Sequence, residues 1–172
     1  MLSPILAKST CATCKFCCSF RRQSLWETPI FDKATMERLQ ELFPNAKFRA
    51  AGASGQSYTF DISDNYHTQD PEEEALCPFL DPKQGCALPP ELKPFDCKIW
   101  PLRAVRSVRT GSNSQSPLKV ALTPTCPAIN KVPLEQVKQL AASGLGKQII
   151  EYAEQNPDII KDESPFLSNI VY

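Results

Sequence analysis

The chain has 172 residues, enough for one domain with a buried core, and its 19 basic and 19 acidic residues give a formal net charge of zero. This balance argues against broad electrostatic binding to nucleic acid or to an anionic membrane. The first ten residues lack the charged and apolar regions of a secretory signal, and no apolar run approaches the roughly 18 residues of a membrane span, so we expect a soluble, cytoplasmic protein.

A first helix is predicted shortly after residue 30. Asp32 suits its N-cap, Phe31 and Met36 suit a hydrophobic staple across that cap, and Pro44 ends the helix. Alternation of apolar and polar residues between Gln56 and Ser63 then predicts a strand with one buried face. The residues expected on that face are Tyr58, Phe60 and Ile62.

The segment from Asp64 to Pro101 is rich in Pro, Asp and Glu and shows little periodicity. A stretch of this length without regular structure is unusual in a compact domain, so it needs another source of order. Cys77, Cys86 and Cys97 all lie within it. Bound metal is therefore the expected source, because ligation can supply ordering free energy.

A hairpin and a helix are predicted in the last third of the chain. The two arms of the hairpin, 102–110 and 117–123, flank a turn-forming Gly-Ser-Asn-Ser sequence at 111–114. Pro133 suits the first turn of the following helix, and Gly144 and Gly146 are expected to bend or split it.

The final segment, 157–172, is too apolar to float freely, so we expect it to dock on its own domain, with exchange between protomers as the alternative. The expected fold class is α+β: a small irregular domain with a few short antiparallel strands and two or three helices, organised around cysteine-bound metal. Residues 1–172 are expected to form a single cysteine-cluster domain.

The functional predictions depend mainly on eight cysteines. Four of them form the run C-x-x-C-x-x-C-C, and the other four follow singly. On a helix, all four clustered sulfurs would face one side within an arc of about 120°, since each residue turns about 100°; a loop wrapped around a metal cluster is the alternative. The predicted metal ligands are Cys11, Cys14, Cys17, Cys18, Cys77, Cys86, Cys97 and Cys126.

The spacing of the first three cysteines, C-x-x-C-x-x-C, is that of bacterial ferredoxins, in which a distant Cys followed by Pro completes the ligand pattern. Cys77-Pro78 and Cys126-Pro127 both have this form. His67 is the only histidine, so a histidine-based zinc catalytic site is not expected. Sulfur ligation favours zinc, copper(I) or an iron–sulfur cluster.

Eight thiolates suffice for two four-thiolate sites or for one polynuclear cluster. Buried thiolates need compensating charge, which metal cations would supply. Five basic residues close to the cysteines in sequence are expected to help: Lys15, Arg21, Arg22, Lys98 and Arg103.

The segment from Cys11 to Arg21, CATCKFCCSFR, resembles the signature of the CxxCxxCC, or YkgJ-like, cysteine-cluster family, which is described as zinc- or iron-chelating domains. The family's second block resembles CPFL at 77–80, GC at 85–86 and KPFDC at 93–97 with a proline at 101, and its closing Cys-Pro resembles 126–127. The resemblance covers the chain from Cys11 to Lys131. Lys93 stands where the family usually has Arg.

This resemblance implies a cysteine domain that houses metal, with iron–sulfur as the expected form, without implying a settled activity. We therefore expect a soluble metal-binding protein with a redox or electron-transfer role and with a redox or acceptor protein as partner. The alternatives are a zinc-stabilised interaction module and a carrier of metal or clusters. Whether the protein is an enzyme stays open, because the sequence shows no catalytic set.

Overall fold

A computed structural model describes residues 13–107, 116–163 and 169–172. The fold is α+β, as predicted. The described residues divide into two compact units: one ends at Lys98, and the other begins at Ile99 and includes the C-terminus. The expectation of a single domain stays a prediction. Among the described residues, no helix has both the length and the apolar character that crossing a membrane requires.

The first unit combines short antiparallel strand pairs with helices. Its elements, in chain order, are β1 (Ser19–Arg21), α1 (Lys33–Leu42), β2 (Lys47–Ala51), β3 (Ser57–Asp61), β4 (Glu74–Leu76), β5 (Leu80–Asp81), β6 (Gly85–Cys86) and α2 (Phe95–Ile99, which crosses the unit boundary). Three 3-10 turns accompany them, at Phe16–Cys18, Arg22–Glu27 and Ser63–Asn65. The strands pair as β1 with β4, β2 with β3, and β5 with β6.

The start of α1 agrees with the sequence-based prediction. Asp32 is the N-cap, and its carboxylate accepts a hydrogen bond from the Thr35 amide at 2.8 Å. The helix ends at Leu42, just before Phe43 and Pro44. The predicted strand is β3, in which Phe60 and the following Ile62 are buried and Tyr58 is partly buried. The expectation of a single buried face is wrong, because Thr59 on the opposite face is also buried, with 1% of its surface exposed.

The segment between Asp64 and Pro101 is more regular than expected. It contains β4, β5, β6 and α2, each two to five residues long. Elements this short cannot display a periodic pattern, so they cannot be predicted from the sequence.

Phe79 is the centre of the apolar core of the first unit, with only 1% of its surface exposed. Four phenylalanine rings surround it at centroid distances of 5.2 to 6.2 Å, most of them edge-to-face: Phe31, Phe43, Phe48 and Phe60. Because Phe79 lies two residues after Cys77, this packing also fixes the backbone that carries that cysteine.

Replacing Phe79 by Ala should therefore lower the free energy of unfolding by about 3–5 kcal/mol, measured by urea denaturation. Phe16→Ala is the matched control, since that ring is 43% exposed, and it should change the value by less than about 0.5 kcal/mol. Similar effects of the two substitutions would contradict the central position of Phe79.

The second unit is built on a four-stranded sheet with the order β10-β8-β7-β9. Its elements are β7 (Leu102–Arg106), β8 (Lys119–Leu122), α3 (Leu134–Leu140), α4 (Gly146–Gln155), β9 (Lys161–Asp162) and β10 (Asn169–Ile170). The predicted hairpin arms pair as β7 and β8, with Leu102 opposite Leu122; the predicted turn at 111–114 lies outside the described residues. The C-terminal segment pairs with the sheet through β9 and β10.

The two helix glycines have different roles. Gly144 has a φ of 121° within a π-helical turn, Ala141–Leu145, and it separates α3 from α4 as expected. Gly146 has helical backbone angles, and it is needed because there is no room for a side chain at this position. A Cβ there would lie 2.3 Å from Cγ of Tyr172, whose carbonyl oxygen accepts a hydrogen bond from the Val120 amide.

Gly146→Ala should consequently have opposite effects in two backgrounds. In the unaltered chain it should destabilise the protein, because the new methyl group displaces the Tyr172 ring. In a Tyr172→Ala background it should stabilise the protein by about 0.5–1 kcal/mol through helix propensity. Thermal unfolding of the four proteins measures this, and an effect of the same sign in both backgrounds would refute the contact.

Candidate metal centre

The pairing of β1 with β4 brings the N-terminal cysteines beside Cys77. Ser19 lies opposite Leu76 and Phe20 opposite Ala75. Just beyond this ladder, the Cys77 amide donates a hydrogen bond to the Cys18 carbonyl at 2.8 Å. Two cysteines that are far apart in sequence are therefore neighbours across an antiparallel pair.

A tight turn returns the chain from Cys77 to Cys86. The Leu80 amide donates to the Cys77 carbonyl at 3.0 Å, and in the β5–β6 pair Leu80 lies opposite Cys86. Asp81 closes the turn by accepting hydrogen bonds from the amides of Lys83 and Gln84, both at 2.7 Å. Cys86 is exposed and Cys77 is partly buried.

Cys97 lies on α2, which is tied to the rest of the first unit through the preceding residue. The carboxylate of Asp96 accepts a hydrogen bond from the Ile30 amide at 3.0 Å. This contact holds α2 against the segment that leads into α1. Cys97 is partly buried there.

The electrostatics of these thiols show that several of them are close together. The pKa of Cys17 is raised, chiefly by a hydrogen bond with the Cys18 thiol. Burial raises the pKa of Cys77 to about 12; the Phe79 amide, which donates to its sulfur, opposes this rise, and the charges of Cys86 and Cys17 add to it. Cys77 is thus within electrostatic reach of both the N-terminal run and the β5–β6 turn.

Cys97 belongs to the same group. Burial raises its pKa well above the usual value, and the charges of Asp96, Cys77 and Cys17 raise it further. Lys93 acts in the opposite direction on both Cys97 and Cys17. We call the five cysteines that these interactions connect the thiol cluster: Cys17, Cys18, Cys77, Cys86 and Cys97.

The other three predicted ligands are placed differently. Cys14 is exposed close to the cluster in sequence, and Cys11 lies outside the described residues. Cys126 is buried in the second unit, where its carbonyl accepts a hydrogen bond from the Asn130 amide. All seven described cysteines are free thiols.

The donor set suits a soft metal ion, but its present arrangement is not a finished coordination site. Within residues 13–107, 116–163 and 169–172, no three His, Cys, Asp or Glu side chains converge closely enough to hold a metal ion. Thiolate sulfur is nevertheless the ligand that zinc, copper(I) and iron–sulfur clusters prefer. Burial and repulsion between neighbouring thiolates keep Cys77 and Cys97 protonated. A bound metal cation would offset both effects and favour the thiolate forms.

The basic residues near the cluster have other partners than expected. Arg21 pairs with Glu72 at 2.7 Å, and Arg22 pairs with Glu73 at 3.0 Å. The cation that opposes the rise in the pKa values of Cys17 and Cys97 is Lys93. From the sequence alone, Lys93 is identified only as the position where the resembling family usually has Arg.

Glu73 joins the loop before β4 to the segment that follows the cysteine run. Its carboxylate accepts hydrogen bonds from the amides of His67 and Thr68, at 2.6 and 2.9 Å, as well as the Arg22 ion pair. The Arg22 guanidinium also lies 4.4 Å from the centre of the Tyr66 ring. This network supports the β1–β4 pairing from the side of the loop.

Comparisons with protein-family models, with curated proteins and with solved structures found no match. The resemblance to the YkgJ-like family thus stays a prediction.

The Glu73 network predicts a specific pH dependence of stability. The hydrogen bonds from His67 and Thr68 help to lower the pKa of Glu73 from 4.5 to about 2 in the folded protein, so its stabilising effect is complete above pH 4.5 and is lost as the pH falls towards 2. Glu73→Gln should lower the urea midpoint at pH 7, and its difference from the unaltered protein should shrink between pH 4.5 and pH 2.

Glu72→Gln is the control for this measurement. The Glu72 side chain is 61% exposed and forms a surface ion pair with Arg21, so its removal should have a small effect across the same pH range. An equal, pH-independent loss in both variants would contradict the role assigned to Glu73.

Proposed function

We propose that this protein binds a thiolate-ligated metal centre, an iron–sulfur cluster, and uses it for electron transfer or another redox step in the cytoplasm. The observation that carries the proposal is the backbone arrangement of the first unit: the Cys77 amide donates a hydrogen bond of 2.8 Å to the Cys18 carbonyl, and Cys86 lies opposite Leu80 across the turn that follows Cys77. Free thiols gathered in this way are typical of metal ligation in a reducing compartment.

The chain's own residues would contribute binding, charge and shielding. Cys17, Cys18, Cys77, Cys86 and Cys97 are the proposed ligands in the first unit, with Cys11 and Cys14 as further candidates from the same run. The Phe79 amide already donates to the Cys77 sulfur, and hydrogen bonds of this kind tune the potential of ligating thiolates. When bound, an iron–sulfur cluster would supply reversible one-electron chemistry.

Lys93 would balance part of the charge of the ligand set. Its ammonium group lowers the pKa of Cys17 and Cys97 against the effects of burial and neighbouring thiols. Deprotonation of the ligands is required for metal binding, so this cation favours the competent state.

Anaerobic purification of the full chain tests the proposal directly. We expect coloured protein that contains iron and acid-labile sulfide in stoichiometric amounts. Cys77→Ser and Cys97→Ser should lose most of both, whereas Ser19→Ala should keep them, because Ser19 points its hydroxyl at Glu74 on the opposite face of β1. Colourless protein loaded with zinc under the same conditions would instead support the zinc-stabilised module.

One observation favours a second candidate, a carrier that passes metal or clusters to an acceptor protein. Cys14, Cys17 and Cys86 are exposed, so an acceptor's thiols could reach them. A carrier should lose its metal rapidly to a competing thiol acceptor, whereas a resident redox centre should retain it. The transfer rate, followed by the visible spectrum, separates the two.

A further inference from the structure

A lysine inside the N-terminal cysteine run has a backbone conformation that side-chain-bearing residues rarely adopt. Lys15 has a φ of 55° and a ψ of 1°, in the left-handed region. Among the residues that the structure describes, it is the only one other than glycine with a positive φ. Because this conformation costs free energy for a residue with a Cβ, contacts made by Lys15 must hold it in place.

The backbone of Lys15 starts the turn that leads into β1. Lys15 caps the 3-10 turn Phe16–Cys18, and its carbonyl accepts a hydrogen bond from the Cys18 amide at 2.9 Å. The carbonyl of Cys18 in turn accepts the hydrogen bond from the Cys77 amide at 2.8 Å. One end of the segment 15–18 is therefore fastened to the residue that follows β4.

The side chain of Lys15 fastens the other end of this segment. Its ammonium group donates a hydrogen bond to the Pro82 carbonyl at 2.6 Å, although the two residues are 67 positions apart. Pro82 lies in the turn between β5 and β6. Lys15 is partly buried, whereas its neighbours Cys14 and Phe16 are exposed. The lysine side chain therefore lies along the protein, with its end on the β5–β6 turn.

Two contacts thus hold the segment 15–18 beside the segment 77–82, one at each end, and the two segments run in opposite directions. Cys17 lies within the first segment. The second segment contains β5, in which Leu80 lies opposite Cys86. The Lys15 contact consequently keeps the backbone that carries Cys17 beside the strand pair that carries Cys86.

We propose that Lys15 is a positioning residue of the candidate metal centre, and that its contact with Pro82 holds Cys17 within reach of the same ion as Cys77 and Cys86. This role rests on the proposed function. Lys15 is not itself a ligand, because a protonated ammonium group has donors only. It acts through the backbone, by limiting how far two separate segments can move apart.

The charges in the β5–β6 turn support this contact. Hydrogen bonds from the amides of Gln84 and Lys83 lower the pKa of Asp81, and the charge of Lys15 lowers it further. The carboxylate that closes the turn is therefore ionised, and it attracts the lysine that is bound to the next residue's carbonyl.

Zinc affinity of the reduced, metal-free full chain tests the proposal, because thiolate sites bind zinc without added sulfide. The protein is titrated with zinc against a chromophoric chelator. Lys15→Met, which removes the ammonium group, should lower the affinity by about 10-fold, as is usual for residues that orient metal ligands. Lys15→Arg should keep most of the affinity, since a guanidinium group can also donate to the Pro82 carbonyl.

Two further variants separate positioning from charge and from backbone conformation. Lys83→Met is the matched control, because it removes one positive charge from an exposed lysine of the same turn, and it should leave zinc affinity unchanged. Lys15→Gly suits the positive φ but loses the hydrogen bond, so its affinity should fall as in Lys15→Met. Full affinity in Lys15→Gly or Lys15→Met, or an equal loss in Lys83→Met, would overturn the proposal.

Amide hydrogen exchange of the metal-free protein, followed by NMR, gives a readout that does not depend on metal. In Lys15→Met the Cys18 amide should exchange faster, while the urea midpoint should change little because the core around Phe79 is untouched. Unchanged exchange of this amide would overturn the proposal, and so would a drop in the urea midpoint large enough to explain the lost affinity.

The proposed function can fail separately from the role of Lys15. If the unaltered protein bound neither zinc nor, on anaerobic reconstitution, iron and sulfide, the proposed metal centre would be refuted. Exchange of the Cys18 amide would still decide whether Lys15 holds its segment on the β5–β6 turn.

Discussion

The antiparallel pairing of β1 with β4 is the contact on which the candidate site depends. It is a backbone ladder in which Phe20 lies opposite Ala75, 55 residues further along the chain. Phe20 and Ala75 bury its inner face, and the Tyr66 hydroxyl donates to the Phe20 carbonyl at 2.8 Å. Because Cys18 directly precedes β1 and Cys77 directly follows β4, any loss of this pairing would separate the N-terminal thiols from the others.

The Pro-rich segment that carries Cys77, Cys86 and Cys97 has a source of order in addition to any bound metal. Phe79 packs among four other phenylalanine rings, and Asp81 and Asp96 close local hydrogen bonds with backbone amides. A metal bound by the proposed ligands would therefore act on a segment whose backbone is already held in place. Its main contribution would then be chemical, with folding free energy as an addition.

Local features of the structure could be predicted from the sequence, and most long-range ones could not. The Asp32 cap depends on a side chain and an amide three residues away, so a short sequence pattern reveals it. The elements β4, β5 and β6 are too short to have a period, and the hydrogen bonds of Glu73 depend on where a loop folds back. The contact between Gly146 and Tyr172 likewise needs the folded sheet, because nothing in either residue's neighbours indicates it.

The same distinction applies to the thiols. The spacing of the N-terminal run and the Cys-Pro sequences indicated metal ligation, but it did not reveal which cysteines are neighbours. Strand register determines that Cys18 lies beside Cys77, and Cys126 belongs to the other unit. Lys93 could be recognised as the cation near the thiols only after the folding of the first unit was known.

The central claim is that thiols from separate segments bind one soft metal centre. X-ray absorption at the metal edge of the anaerobically purified protein tests it most directly. The account predicts a first shell of sulfur alone, at about 2.3 Å if the metal is zinc, with iron–iron scattering in addition if the proposed cluster is present. A first shell dominated by nitrogen or oxygen, or reduced protein that holds no metal at all, would contradict it.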